Sequence, residues 1–110
     1  MTRRRNVSAW PTYLLKGVPE SERRHLTSSA AAQNISISDV VRRILCDHYR
    51  MVCPPESYGY DPARDDGALT ILLRLQPRLA RALDREKART GRTKRRIILD
   101  TIEAHQKEAA

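Results

Sequence analysis

The sequence predicts a mainly α-helical fold carrying a single two-stranded antiparallel β-ribbon, built from one strand-helix-helix plan used twice. Three observations carry that prediction. The stretch Thr12 to Pro19, TYLLKGVP, returns near Thr70 as TILLRLQP. The apolar positions of the helix that closes each half recur at a constant offset: Val40, Val41 and Leu45 become Ile97, Ile98 and Ile102, 57 positions later, the difference between 97 and 40. The 110 residues include no Phe and one Trp, so the core must be filled mainly by Leu, Ile, Val and Ala, as in small helical proteins. A lone strand leaves both edges unpaired and cannot bury its apolar face by itself. The second copy supplies the missing partner, and one chain is expected to equal a dimer.

Residues 1 to 9 open on Arg3, Arg4 and Arg5 without periodicity and are expected to form a flexible basic arm that contacts phosphate or the minor groove, or else a tail that only adds solubility. The first strand follows. Alternation puts Thr12, Leu14 and Lys16 on one face and Tyr13 and Leu15 on the other, and the opposite parity would bury a charge. In the second copy the same rule groups Thr70, Leu72 and Arg74 against Ile71 and Leu73. Pro19 ends the first strand and suits the first turn of a helix running to Gln33, with Glu20 and Glu22 at the positive end of its dipole and Leu26 and Ala30 inward. Asn34 stops that helix. Ser36 or Ser38 caps the next one, whose inward residues are Val40, Val41, Ile44 and Leu45 and which is expected to fray near Met51.

A Pro- and Tyr-containing connector of about 15 residues follows, long enough to reach about 50 Å and carry the chain back across a small domain. The second half repeats the plan: a strand from Leu69 to Leu75, a helix PRLARALDREKART stopped by Gly91, and a last helix capped by Thr93. Lys16 and Arg74 differ by 58 rather than 57, and Gly17 is the extra residue, as a bulge at the strand end would produce. The organisation is therefore an arm over 1–9, repeats over 10–51 and 69–110 that together form one globular unit, and an acidic linker over 52–68.

Charge points to a polyanionic partner, for the chain carries a formal +8 and a pI near 10.2. Residues 1–50 hold nine Lys/Arg against four Asp/Glu, residues 51–68 one against four, and residues 69–110 eleven against five. Two basic blocks thus flank an acidic connector, and the blocks are expected to face the partner. No run has the length of a membrane span, and Asn6, Ser8 and Trp10 interrupt any apolar leader, so a cytoplasmic protein with no membrane partner is expected. Cys46 and Cys53 would lie about 10 Å apart on one helix, too far for a disulfide, and read as free thiols. A zinc site of Cys46, His48 and Cys53 lacks the usual short spacing and a fourth ligand; no metal or other cofactor is expected. The bias towards Arg over Lys and towards Ala is that of GC-rich bacterial or phage genes.

The strand, then Lys16-Gly17-Val18-Pro19, a helix, Asn34 and ISISDVVRRIL resemble a ribbon-helix-helix DNA-binding domain of the Arc and MetJ type. The second block, LLRLQPRLARALDREKARTGRTKRRIILDTI, resembles the same family, so the chain looks like a tandem two-copy form and a monomeric, intrachain pseudo-dimer. The resemblance implies that the ribbon enters the major groove of double-stranded DNA, with Thr12, Leu14, Lys16, Thr70, Leu72 and Arg74 reading bases. It also implies that the starts of the two closing helices, Ser36, Ile37 and Ser38 with Thr93, Lys94 and Arg95, hold phosphate. Arg95 and Arg96 support the second of these sites independently, because a cation near a helix N-terminus is unfavourable until an anion joins it. Family members show three hydrogen-bonding residues on each strand, and this chain places leucine at the middle one.

The expected function is that of a transcriptional repressor or regulator in the nucleoid, able to sit in several copies side by side on DNA. A nucleoid-associated or architectural protein of low sequence specificity is the alternative within the same chemistry. From another class comes a protein-interaction adaptor or inhibitor using exposed Leu14 and Leu72 with Tyr58 and Tyr60. An antitoxin is less expected, since little sequence follows the last helix. An enzyme is not expected: His25, His48 and His105 fall in different elements with no nucleophile, metal set or phosphate loop beside them.

Overall fold

In the computed structural model, residues 10–53 and 70–109 are described. They form β1 (Thr12–Leu15), α1 (Glu20–Gln33), α2 (Ile37–His48), β2 (Ile71–Arg74), α3 (Pro77–Thr90) and α4 (Lys94–Ala109). The protein is mainly helical, with one two-stranded antiparallel sheet in which Thr12 faces Arg74, Tyr13 faces Leu73, Leu14 faces Leu72 and Leu15 faces Ile71.

Local chemistry fixes the helix ends. Pro19 precedes α1 with an extended ψ of 146°, and Glu20 and Glu22 occupy the first turn, where the dipole favours them. Asn34 closes α1 in the left-handed conformation with φ 54°, its N–H donating to the carbonyls of Ala30 and Ala31. Ser36 caps α2 by accepting the Asp39 N–H. Thr93 does the same for α4, its Oγ1 accepting the Arg96 N–H at 3.1 Å. Proline opens α3 and Gly91, at φ 77°, closes it. The end of α2 comes earlier than Met51: the helix stops at His48, and Arg50 turns the chain with φ 53°.

The alternation in the strands sorts their side chains as required. Leu15, Ile71 and Leu73 are buried while Leu14 and Leu72 are exposed. Beneath the ribbon, α2 packs on β2, on α1 and on α4, and α4 in turn packs on α1 and α3. The core joins Leu15, Val18, Leu73 and Leu75 to Val41 and Leu45 of α2, Ile98 and Ile102 of α4, and Leu26, Leu79 and Leu83 of the outer helices. Helix α2 runs after β1 in the sequence yet packs on β2 and on α4 as well as on α1, so the halves interlock rather than lie side by side.

The extra glycine does not make a bulge within the paired residues, whose register is uninterrupted. Gly17 instead follows β1 with φ 67°, a conformation that glycine adopts without steric penalty. Among the described residues, no helix is long and apolar enough to cross a membrane.

Candidate nucleic-acid interface

One face of the ribbon presents Thr12, Leu14, Lys16, Thr70 and Leu72, all exposed, together with half-buried Arg74. The side chains expected on one face from the sequence are thus brought together there. Leu75 donates its N–H to the Pro11 carbonyl at 2.9 Å, which makes that pair a hydrogen-bonded one. Pairs alternate along an antiparallel ladder, so Tyr13 with Leu73 is hydrogen-bonded, whereas Thr12 with Arg74 and Leu14 with Leu72 are not. Non-hydrogen-bonded pairs bring their side chains closest, with Cα atoms about 4.5 Å apart. Leu14 and Leu72 consequently form one apolar patch, 47% and 54% exposed, flanked on the same face by Thr12 with Arg74 and by Lys16 with Thr70.

Outward-pointing backbone groups at the ribbon edges are anchored by the helix starts. The Arg74 N–H donates to Ser38 Oγ at 3.1 Å. At the other edge, Arg95 Nε donates to the Lys16 carbonyl at 2.7 Å and Nη2 to the Gly17 carbonyl at 3.2 Å. Ser38 and Arg95 are both the second residue of their helix, and each ties that helix to the strand of the other half.

The two helix starts differ in charge. At α2, Ser36 Oγ accepts from the Asp39 N–H at 3.1 Å and donates to Asp39 Oδ2 at 2.9 Å, a reciprocal cap that places a carboxylate there. The hydroxyl expected to hold phosphate is therefore engaged, and half-buried Ile37 packs against the core. At α4, Lys94 pairs with Asp84 at 2.6 Å, Arg96 lies 3.5 Å from Asp100, and Arg92 bonds both Glu86 and Asp100. These carboxylates offset the repulsion that the sequence suggested for cations at a helix N-terminus. The Lys94–Asp84 and Arg96–Asp100 pairs are open to solvent and contribute little to stability, whereas Arg92 holds the buried Glu86. Arg3, Arg4 and Arg5 lie outside the described residues.

Sequence reasoning missed a buried polar cluster beneath the ribbon. Arg42 is 1% exposed; its Nη2 donates to Asp39 Oδ1 at 2.9 Å, its Nη1 reaches Cys53 Sγ at 3.0 Å and Gln76 Oε1 at 3.5 Å, and the Trp10 ring lies 5.4 Å away. Gln76 Nε2 in turn donates to Cys46 Sγ at 3.1 Å. The repeat offset held a signal for this site, since Arg42 falls on Leu99, which is also buried. The 10 Å separation expected for the cysteines does not apply, because α2 ends before Cys53; both remain free thiols. Burial, then the neighbouring Cys53, push the Cys46 thiol up to about 11. Among the described residues, no three His, Cys, Asp or Glu side chains gather to hold a metal. No family model matches the chain, and neither a curated protein nor a solved structure matches it.

Proposed function

We propose that this chain is a double-stranded DNA-binding protein of the ribbon-helix-helix kind, a transcriptional regulator that inserts its two-stranded ribbon into the major groove. In this proposal its two halves act as the subunits of a dimer fused into one chain. The observation that carries it is the strand register. Leu14 and Leu72, equivalent positions of the two repeats, face each other, so Tyr13 faces the counterpart of Leu15, and Leu15 the counterpart of Tyr13. A local two-fold axis through that leucine pair is what a fused dimer requires, and it gives the ribbon a nearly symmetric exposed face.

Size and charge agree with the groove. A two-stranded ribbon fits a major groove about 12 Å wide, and four residues per strand, about 13 Å, run along about four base pairs of it. Lys16 and Arg74 carry donors suited to guanine O6 and N7, and the threonines donate or accept. Lys94, Arg95 and the first-turn N–H groups of α4 supply a phosphate contact beside the ribbon end, with those of Ile37 and Ser38 as the weaker counterpart. The scarcity of hydrogen-bonding side chains at the ribbon centre favours one second reading, a nucleoid-associated protein of low sequence specificity.

Titration of genomic fragments over a salt series tests the proposal, using the wild type, Lys16→Ala, Arg74→Ala and the double variant. Affinity should fall steeply with salt, by a log-log slope of about −0.9 for each phosphate contacted. The variants should lose preference among fragments more than overall affinity. A double variant with unchanged affinity and preference refutes the ribbon assignment, and a wild type that binds all fragments alike selects the second reading. Sedimentation without DNA should give a folded monomer.

A further inference from the structure

We propose that Leu14 and Leu72 read the C5 methyl groups of two thymines, one on each DNA strand, at the centre of the bound site. This deepens the DNA-binding proposal and rests on it. The two side chains stand directly opposite each other in a non-hydrogen-bonded pair, where cross-strand Cβ atoms approach to about 4.5 to 5.5 Å. They remain half exposed at 47% and 54%, although Leu15, Ile71 and Leu73 on the other face are buried. An apolar pair left open on a ribbon bracketed by cations suits a polyanion with an apolar spot at its middle. In the major groove that spot is the thymine methyl group.

Lys16 and Arg74 carry the donors suited to guanine, and spacing sets them on either side of the leucines. Residues two apart along a strand are about 6.7 Å apart, the rise of about two base pairs, so the cations fall about two pairs from the leucines on either side. The expected site has central A·T pairs flanked by guanine contacts.

The test uses the full chain and a duplex selected from a random pool. Deoxyuridine replaces thymidine either at the centre or only in the flanks, which removes methyl groups and no hydrogen-bonding atom. Burial of one methyl-sized group corresponds to about a fourfold change in Kd, so central replacement of two thymidines should weaken wild-type binding about 15-fold. Flanking replacement should change it little. The exposed double variant Leu14→Ala, Leu72→Ala should bind both duplexes alike. Wild-type binding that ignores the central methyl groups, or selected sites without central thymine, overturns this inference while leaving DNA binding intact. Absence of binding to every duplex overturns both. A DNA-free dimer that the double variant dissolves assigns the leucines to self-association instead and also overturns the inference.

Discussion

Ser38 Oγ accepts the backbone N–H of Arg74 at 3.1 Å, fastening the first turn of α2 to the edge of β2. Arg74 lies in a non-hydrogen-bonded pair, so its amide points away from β1 and towards Ser38. Ser38→Ala removes the acceptor from a half-buried amide and should destabilise the fold by about 1 kcal/mol. Urea denaturation measures the loss. Ser38→Thr, which keeps a hydroxyl, should recover most of it, and an alanine variant as stable as wild type would show that water replaces the serine at no cost.

Gly17 and Gly91 share a left-handed backbone, yet their substitution should not cost the same. At Gly91, φ 77°, a new Cβ meets nothing within 4 Å, so Gly91→Ala should cost only the left-handed penalty of about 1 kcal/mol. At Gly17, φ 67°, the Cβ would lie 2.8 Å from Arg95 Nη2 and displace a guanidinium bound to the Lys16 and Gly17 carbonyls. Gly17→Ala should therefore cost about 2 kcal/mol, adding a lost charge-assisted bond to the same backbone penalty. In an Arg95→Ala background the two substitutions should become equal, and denaturant midpoints for the four variants decide the matter.

Most of the fold was legible because its signals are local. Pro19 before α1, the acidic residues in its first turn, Asn34 after it, the caps Ser36 and Thr93, and Gly91 each act within one turn, and α1 and α3 occupy the stretches read from the sequence. Strand parity was equally plain, since Lys16 and Arg74 could not be buried. The cluster at Arg42 was not legible: its partners Gln76 and Cys53 lie 34 and 11 residues away, and periodicity does not announce a buried cation. Charge compensation at α4 was hidden for the same reason, as Asp84 meets Lys94 only after α3 packs against α4. In the candidate interface, membership of the face could be read from alternation, but the choice of Arg95 to hold the ribbon edge depends on where α4 begins relative to β1.

Truncating Arg42 should be costly. Its guanidinium is almost wholly buried between Asp39, Cys53 and Gln76, and Asp39 is 6% exposed. Arg42→Ala removes the cation from a buried carboxylate and should cost about 3 to 5 kcal/mol. Arg42→Leu combined with Asp39→Ala copies the leucine found at position 99 and removes the stranded charge, so it should cost less than the single change. Emission from Trp10, the single tryptophan, follows unfolding directly because its ring is buried in the fold. A double variant less stable than Arg42→Ala would mean that Asp39 supports α2 mainly through its cap with Ser36.

His25 Nε2 lies 3.1 Å from His105 Nδ1, joining α1 to α4. One ring must donate and the other accept, which two imidazolium ions cannot do. Burial, then His105, lower the His25 pKa below its ordinary 6.5, while Glu22 acts in the opposite direction. Below pH 6.5 the unfolded chain takes up a proton that the folded chain resists, so more protons are bound in the unfolded state and stability falls as pH falls. The contribution is full above pH 6.5 and is lost as pH drops through the lowered folded pKa. Urea midpoints measured between pH 8 and pH 5 should therefore decline on the acid side. His25→Gln removes the titrating ring and should flatten that decline, and a variant whose midpoint falls as steeply as the wild type would move the effect to another group.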